Sequence, residues 1–258
     1  MRINPVKRKL ASGGASLGTF IFEFNTSGTA RIAAGCGAEF ALVDMEHTGW
    51  SVESIRRWIA TARGTELVPL VRVPATEYHF IARALDVGAA GIMVPMMESA
   101  GQAASAVACA KYPPVGRRGA AFGISHDDYS GGDIVDKMRS ANDETLMIAL
   151  IESVAGIANV DAIAATEGLD VLWLGHFDLT CSMGIPGQFD HPRFVESVEK
   201  ILDACRRHGK TAGFMASDVD AGKRRFAQGF RMLAYGGDLW LYQTALRHGI
   251  DELRRSIP

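Results

Sequence analysis

The 258-residue sequence predicts an α/β fold, a single (β/α)8 barrel, on three observations. Roughly eight short apolar runs of strand length recur along the chain, separated by segments with helical spacing. Eight such units in about 250 residues is the usual size of this barrel. No glycine-rich dinucleotide loop follows the first run, which disfavours the alternative, an open doubly wound sheet.

The predicted strands are short apolar runs, and the fifth and sixth are rich in Ile, Leu, Val and Trp, which is typical of buried strands. They lie at residues 18–23, 39–45, 66–73, 90–96, 147–152, 171–175, 211–216 and 230–236. Between them, Ser51 fits a helix start, Pro192 a first helical turn, and Gly88 and Gly209 helix ends. The segment between the fifth and sixth runs predicts one amphipathic helix, which makes a right-handed crossover between neighbouring strands.

Two segments depart from this rhythm within what we expect to be one domain, residues 1–258. Residues 112–145 form a long insertion rich in Gly, Pro and Asp, which predicts a lid or an interface segment. The C-terminal tail has apolar residues at helical spacing, which predicts a helix that closes the barrel wall or packs on a neighbouring subunit. These apolar residues are Leu239, Tyr242, Leu246, Ile250 and Leu253.

Composition narrows the class of protein. The net charge of −2 argues against a nucleic-acid partner, which would favour a basic face. No window approaches 18 uninterrupted apolar residues, so we expect no membrane helix, and no secretory apolar region follows the start. The cysteines are far apart and suit buried thiols in a reducing cytoplasm better than disulfides or a zinc site. They are Cys36, Cys109, Cys181 and Cys205.

Two acids mark the predicted site, because catalytic groups of a barrel lie at the carboxyl ends of its strands. The fifth run ends at Glu152, and the sixth runs into Asp178. On adjacent strand ends, the two carboxylates would suit a hard divalent cation with open water positions. Either acid alone fits an exposed loop position equally well.

A base and a cation complete the predicted site. His47 follows the second run close to Asp44, and histidine can accept a proton near neutral pH. The alternative is a packing histidine. Arg72 interrupts an apolar run, and a buried guanidinium requires an anion such as a substrate carboxylate. The alternative for Arg72 is a structural ion pair with Glu23 or Asp44.

The loop before Asp178 offers a further binding element. Gly175, His176 and Phe177 place backbone N–H groups near a helix start, where an anionic ligand can bind. His176 fits a loop residue without a role equally well. Two carboxylates with an arginine point to stabilisation of an enolate on a 2-oxo acid. A Schiff-base aldolase is disfavoured, since no lysine lies at a predicted strand end.

From residue 18 to 255 the sequence resembles the HpcH/HpaI (4-hydroxy-2-oxoheptanedioate) aldolases of the citrate-lyase-like superfamily. The motifs that carry the resemblance are LVDMEH, PLVRVP, LDVGAAGIMVPM, KYPPVGRRGAA, LIES, GHFDLTCSMGIPGQFDHP and AGFMA. The resemblance implies a class II pyruvate aldolase with Mg²⁺, Mn²⁺ or Co²⁺, active in aromatic compound catabolism. It also implies a hexamer, a trimer of dimers that exchange the C-terminal helix.

The resemblance also implies roles, position by position. Glu152 and Asp178 would be the metal ligands, and His47 would be the proton acceptor. Arg72 would stabilise the enolate. Asp86, which by itself is typical of a solvated helix face, would raise the basicity of the histidine from the same or an adjacent subunit.

The remaining implied roles concern substrate binding. Phe177 and Asp178 would bind the pyruvate carboxylate through backbone amides, and Asp44 would orient the histidine. The sequence departs from the usual family loop Gly-Pro-x-Asp-Leu at His176 and Phe177. A common glutamine of the family is Leu150 here, and a frequent glycine is Met45. These changes predict an altered substrate range.

The predicted activity is cleavage of a 4-hydroxy-2-oxo acid to pyruvate and an aldehyde. One alternative is a related carbon–carbon lyase or condensing enzyme that acts on an acyl-CoA or a dicarboxylate. The alternative from another class is a non-catalytic metabolite-binding barrel.

Overall fold

The computed structural model of the chain describes residues 2–257 and confirms the predicted barrel. Eight parallel strands pair in sequence order, and the eighth pairs with the first to close the sheet. The strands are β1 (Ser16–Ile21), β2 (Phe40–Asp44), β3 (Val68–Arg72), β4 (Gly91–Val94), β5 (Leu146–Ile151), β6 (Val171–Leu174), β7 (Thr211–Ala216) and β8 (Met232–Gly237). Each overlaps the apolar run predicted for it.

Most helices connect the strands and form the outer layer, whereas the first precedes β1 and buries Val6 and Leu10 against the residues inside the barrel. Their bounds are α1 (Pro5–Ala11), α2 (Thr29–Gly35), α3 (Val52–Ala62), α4 (Tyr78–Asp86), α5 (Ala100–Ala110), α6 (Ile134–Glu144), α7 (Val154–Ala158), α8 (Val160–Ala164), α9 (His176–Ser182), α10 (Pro192–His208), α11 (Val219–Gln228) and α12 (Asp238–Ser256), with a 3₁₀ turn at Ser125–Asp127. No helix within residues 2–257 combines the length and the apolar character needed to cross a membrane.

The core has two layers because successive strand side chains point to opposite faces. On β2, Leu42 packs inside the barrel with Trp173, whereas Val43 packs outward against the helices. On α3, Ile55 and Trp58 have helical spacing and are fully buried against the outer face. Burial of each such large apolar side chain contributes on the order of 2 kcal/mol.

The single helix predicted between the fifth and sixth runs is wrong. Two short helices, α7 and α8, meet at Asn159, whose φ of −105° and ψ of 8° interrupt the helix. The Asn159 side-chain amide donates hydrogen bonds to the backbone oxygens of Glu98 at 2.8 Å and Ala155 at 3.2 Å. Side-chain bonds of this kind compete with continued helix.

The 112–145 segment lies at the amino-terminal end of the barrel, because it leads into β5. Its residues Ser125 and His126 border a small cavity together with Pro69 and Ala90, which come just before or at the start of strands β3 and β4. The candidate active site is at the opposite end. Its roles as a lid or as an interface segment both stay predictions.

The C-terminal helix α12 does not close the barrel wall beyond its first turn. Asp238 is its one buried residue, and its carboxylate accepts the backbone N–H groups of Phe22, Glu23 and Phe24 at 2.6–3.0 Å. Its apolar residues Trp240, Tyr242, Leu246, Ile250 and Leu253 are all 41–57% exposed. Beside β1 and β8, an apolar groove of about 600 Å³ remains open.

Of the four cysteines, Cys109 and Cys205 are buried, as predicted. The prediction is wrong for Cys36 and Cys181, which are exposed, and all four thiols are free within the described residues.

Candidate active site

A cavity of about 230 Å³ opens at the carboxyl ends of the strands. It is the place where the predicted polar groups meet. Its lining includes Phe20, Phe22, His47, Arg72, Leu150, Glu152, Trp173, Gly175, His176, Phe177, Asp178 and Trp240. The sequence therefore placed most of its candidate residues on one rim of the barrel.

Glu152 directly follows β5 and is 3% exposed. Its Oε1 accepts the backbone N–H of Met96 at 2.6 Å. Burial raises the pKa of Glu152 to about 7, and the nearby Glu46 and Asp178 carboxylates act in the same direction. A cation placed beside Glu152 would favour its ionised form.

Gly175 makes room for that carboxylate. The pairing of Ile151 with Leu174 puts the end of β6 beside the end of β5. A Cβ atom at Gly175 would lie 2.6 Å from the Glu152 Cβ and 2.8 Å from its Oε2. Glycine is therefore required at position 175 for the Glu152 side chain to occupy its observed position.

Asp178 lies in the first turn of α9, where it is exposed and lines the same cavity as Glu152. Within residues 2–257, no three or more His, Cys, Asp or Glu side chains converge on one metal position. Two carboxylate ligands from the protein are nevertheless sufficient for Mg²⁺ or a similar hard cation, because water and substrate oxygens occupy its other coordination positions. The two acids fit the predicted divalent metal.

Arg72, at the end of β3, fits both roles predicted for it. Its Nε donates to Asp44 Oδ1 at 2.6 Å, and its Nη1 lies 3.0 Å from Glu46 Oε2. The structural ion pair with Asp44 is therefore present. The guanidinium also lines the cavity and lies over the Phe20 and Phe22 rings, 5.5 and 5.8 Å from their centroids.

Asp44 shapes the loop that carries His47. Its fully buried carboxylate accepts the backbone N–H of Glu46 at 3.1 Å and that of His47 at 2.9 Å. It acts on the loop backbone, while the imidazole of His47 is 59% exposed and faces the cavity. His47 Nε2 lies 3.6 Å from Glu46 Oε2.

Glu46 is a site residue that sequence reasoning did not single out. Its Oε2 is buried and has no hydrogen bond within the described residues, although it lies between Arg72 and His47. Burial raises the pKa of Glu46, and the charges of Arg72 and His47 oppose that effect. Its position between two candidate residues in one loop was the available signal.

The loop after β6 brings aromatic rings to the cavity. His176 lies 4.4 Å from Phe177 and 4.8 Å from Phe214, measured between ring centroids. Burial lowers the pKa of His176 to about 4, and the charge of Arg225 adds to this effect, so the imidazole is neutral at pH 7. Phe177 is 57% exposed, and Leu150 lines the buried part of the cavity.

Asp86 is the predicted residue that one chain does not bring to the site. It ends α4 at the amino-terminal end of the barrel, where it accepts a 2.6 Å hydrogen bond from Arg118 Nη2. His47 is at the opposite end. A contact between Asp86 and a histidine would have to join two subunits, and this role stays a prediction.

Comparison with known proteins identifies an aldolase family along most of the chain. The family model described as HpcH/HpaI aldolase/citrate lyase matches residues 18–245. A 5-keto-4-deoxy-D-glucarate aldolase of Klebsiella pneumoniae is 32% identical over 253 residues, which cover 98% of this chain and 97% of that protein.

Two solved structures share the fold along nearly the whole chain. An HpcH/HpaI aldolase from Desulfitobacterium hafniense has a TM-score of 0.94 and 31% identity, covering 100% of this chain and 98% of that one. The citrate synthase SbnG has a TM-score of 0.86 and 27% identity, covering 97% and 98%.

Aldolases are carbon–carbon lyases, and a chain that matches one along almost its entire length is an enzyme of that class. The chain belongs to the HpcH/HpaI aldolase/citrate lyase family. The resemblance drawn from its motifs is thus confirmed. The alternative of a non-catalytic metabolite-binding barrel is disfavoured.

Proposed function

We propose that this chain is a metal-dependent class II aldolase that cleaves a 4-hydroxy-2-oxo acid to pyruvate and an aldehyde. The proposal depends on one observation: two carboxylates, a guanidinium and an imidazole line a single cavity at the carboxyl ends of the strands. These are the side chains of Glu152, Asp178, Arg72 and His47.

Glu152 and Asp178 would hold a divalent cation such as Mg²⁺, Mn²⁺ or Co²⁺. The raised pKa of Glu152 and the space beside Gly175 support this assignment. When bound, such a cation supplies Lewis-acid polarisation of the substrate's 2-oxo group.

The chain's own residues would transfer the proton and stabilise the negative charge that develops on the substrate. His47 takes the proton from the 4-hydroxyl as the bond between C3 and C4 breaks, which releases the aldehyde and leaves the bonding electrons on the pyruvate fragment. Arg72 stabilises the negative charge that develops there. The proton taken by His47, returned directly or through exchange with solvent, then adds to C3 and completes pyruvate. Asp44 and Glu46 hold the guanidinium in place for this role.

Substrate orientation would come from the start of α9. The backbone N–H groups of Phe177 and Asp178 belong to the first turn, whose amides have no partner inside the helix. They can donate to the pyruvate carboxylate. His176 and Leu150 would border the same substrate.

Hydrogen exchange of pyruvate tests this proposal without an aldehyde. We expect the methyl protons to exchange with D₂O, followed by NMR, when Mg²⁺, Mn²⁺ or Co²⁺ is added. Arg72→Ala should slow the exchange roughly 100-fold, the usual cost of removing one charge-stabilising donor. Val195→Ala, an exposed change on α10, serves as control. No exchange with any of the three cations would contradict the proposal.

A second candidate function is condensation of the same carbon nucleophile with an acyl-CoA or a dicarboxylate. The similarity to the citrate synthase SbnG favours it. A screen of pyruvate or another 2-oxo acid with aldehydes, acyl-CoA esters and 2-oxo dicarboxylates, with products identified by mass spectrometry, separates the two. Turnover restricted to the non-aldehyde acceptors would replace the aldolase proposal.

We also propose that the enzyme is a hexamer, a trimer of dimers that exchange α12. The exposed apolar residues of α12 and the open apolar groove beside β1 and β8 support the exchange, since each would cover the other in a second copy. Light scattering after size exclusion measures the assembly, and a monomer at micromolar concentration would contradict it.

A further inference from the structure

The part of the cavity beyond its charged groups has two aromatic walls. The first wall is made by Phe20, Phe22 and Trp240. The Phe20 and Phe22 rings stack at 5.4 Å, and Trp240 meets the Phe22 ring edge-on at 4.9 Å. Trp240 is 44% exposed, so this wall continues to the mouth.

The second wall is made by His176 and Phe177, and Phe189 packs behind both rings. Phe177 lies 5.3 Å from Phe189 and 4.4 Å from His176, between ring centroids. Phe177 stands at the mouth, where an entering substrate would pass it.

Cations are scarce in this cavity. Arg72 is the one arginine or lysine among the described residues that line it, and its guanidinium is already paired with Asp44 and Glu46. The other ionisable groups at this end of the cavity are His47 and the two acids assigned above to a divalent cation, Glu152 and Asp178. Arg225 lies 4.9 Å over the Phe214 ring and does not line the cavity.

A second carboxylate on the substrate would therefore lack a partner. It would lose hydration against aromatic rings, which is unfavourable. An apolar or aromatic substituent would instead replace water on both walls and gain contact area.

We propose that the aldehyde handled by this enzyme is uncharged and carries an apolar or aromatic substituent, and that aldehydes with a second carboxylate are rejected. This inference rests on the proposed aldolase function and specifies its substrate class. The two aromatic walls, and not the charged rim, set the preference.

Butanal and succinic semialdehyde form a matched pair for the test, because a carboxylate in one replaces a methyl group in the other. We expect pyruvate condensation with butanal to have a kcat/KM at least about tenfold higher, which corresponds to roughly 1.4 kcal/mol. Benzaldehyde should also react. Equal or better use of succinic semialdehyde would overturn the inference.

A charge introduced at the mouth tests the cause. The measured quantity is the ratio of kcat/KM for butanal to kcat/KM for succinic semialdehyde. Phe177→Lys should lower this ratio about tenfold, as expected for one new charge-assisted hydrogen bond to the carboxylate. Trp240→Lys tests the first wall in the same way. Val195→Lys adds the same charge on the exposed face of α10, and the ratio should stay that of the wild type. If neither wall variant moves the ratio, the walls do not determine it.

Hydrogen exchange of pyruvate with D₂O, measured without aldehyde, distinguishes failure of the aldolase proposal from failure of the proposed aldehyde class. Exchange together with indifference to aldehyde charge would overturn the substrate class and leave the aldolase function standing. Absence of exchange with every cation would remove the function itself.

Discussion

Replacement of Gly175 by alanine tests the geometry of the candidate metal site directly. The new Cβ would lie 2.6 Å from Glu152 Cβ, 2.8 Å from its Oε2 and 3.2 Å from Leu150 Cδ1. The first of these contacts involves the base of a buried side chain, so Glu152 cannot avoid it by rotating its carboxyl end. The carboxylate must shift, or the loop after β6 must move away.

The magnitude follows from these distances. Overpacking of this size typically costs about 1–3 kcal/mol of stability. A displacement of roughly 1 Å at a reacting centre costs about 100-fold in rate. We therefore expect Gly175→Ala to lower the melting temperature modestly, to weaken Mn²⁺ binding at least about tenfold, and to slow pyruvate exchange about 100-fold.

Calorimetric Mn²⁺ titration and the NMR exchange assay measure these effects. Gly101→Ala is the matched control, because Gly101 lies in α5 and a Cβ added there would have no atom within 4 Å. It should keep activity and gain up to about 1 kcal/mol of stability, since alanine favours helix over glycine. Wild-type Mn²⁺ affinity in Gly175→Ala would refute the reasoning.

Three further outcomes are expected. Glu46→Gln removes a carboxylate that raises the pKa of Glu152, so Mn²⁺ binding should begin at lower pH. In metal-free protein, the raised pKa of Glu152 makes the folded state bind its proton more tightly than the unfolded state does. Stability should then fall by up to about 3 kcal/mol between roughly pH 4.5 and 7, and a divalent cation should restore it. Leu246→Glu with Leu253→Glu on α12 should lower the assembly mass, because both side chains would be covered in an exchanged dimer.

Each of these has a direct check. Mn²⁺ titration across pH follows Glu46→Gln, and an unchanged pH profile would contradict the coupling. Urea unfolding of the metal-free protein should lose its pH-dependent fall in Glu152→Gln, which stays neutral at every pH. For α12, Arg247→Glu on the exposed polar face is the control, and an unaltered mass in the double variant would count against exchange.

The sequence by itself determined the barrel and the positions of most candidate residues. A parallel strand buried on both faces needs a nearly continuous apolar run, so each strand can be located from composition alone. A polar residue where such a run ends must lie at the carboxyl rim, which placed Glu152, Arg72 and His47 correctly. Local pattern was sufficient because burial and strand direction fix these positions.

Tertiary structure decided which groups pair. Alignment of Asp44 with Arg72 across β2 and β3 forms their ion pair, and the turn after β2 brings Glu46 beside it. The break at Asn159 depends on the oxygen of Glu98, 61 residues earlier in the chain. Asp86 proved to be held by Arg118 at the far end of the barrel. Such partners are distant in sequence, and strand register and loop packing select them, so no local pattern contains them.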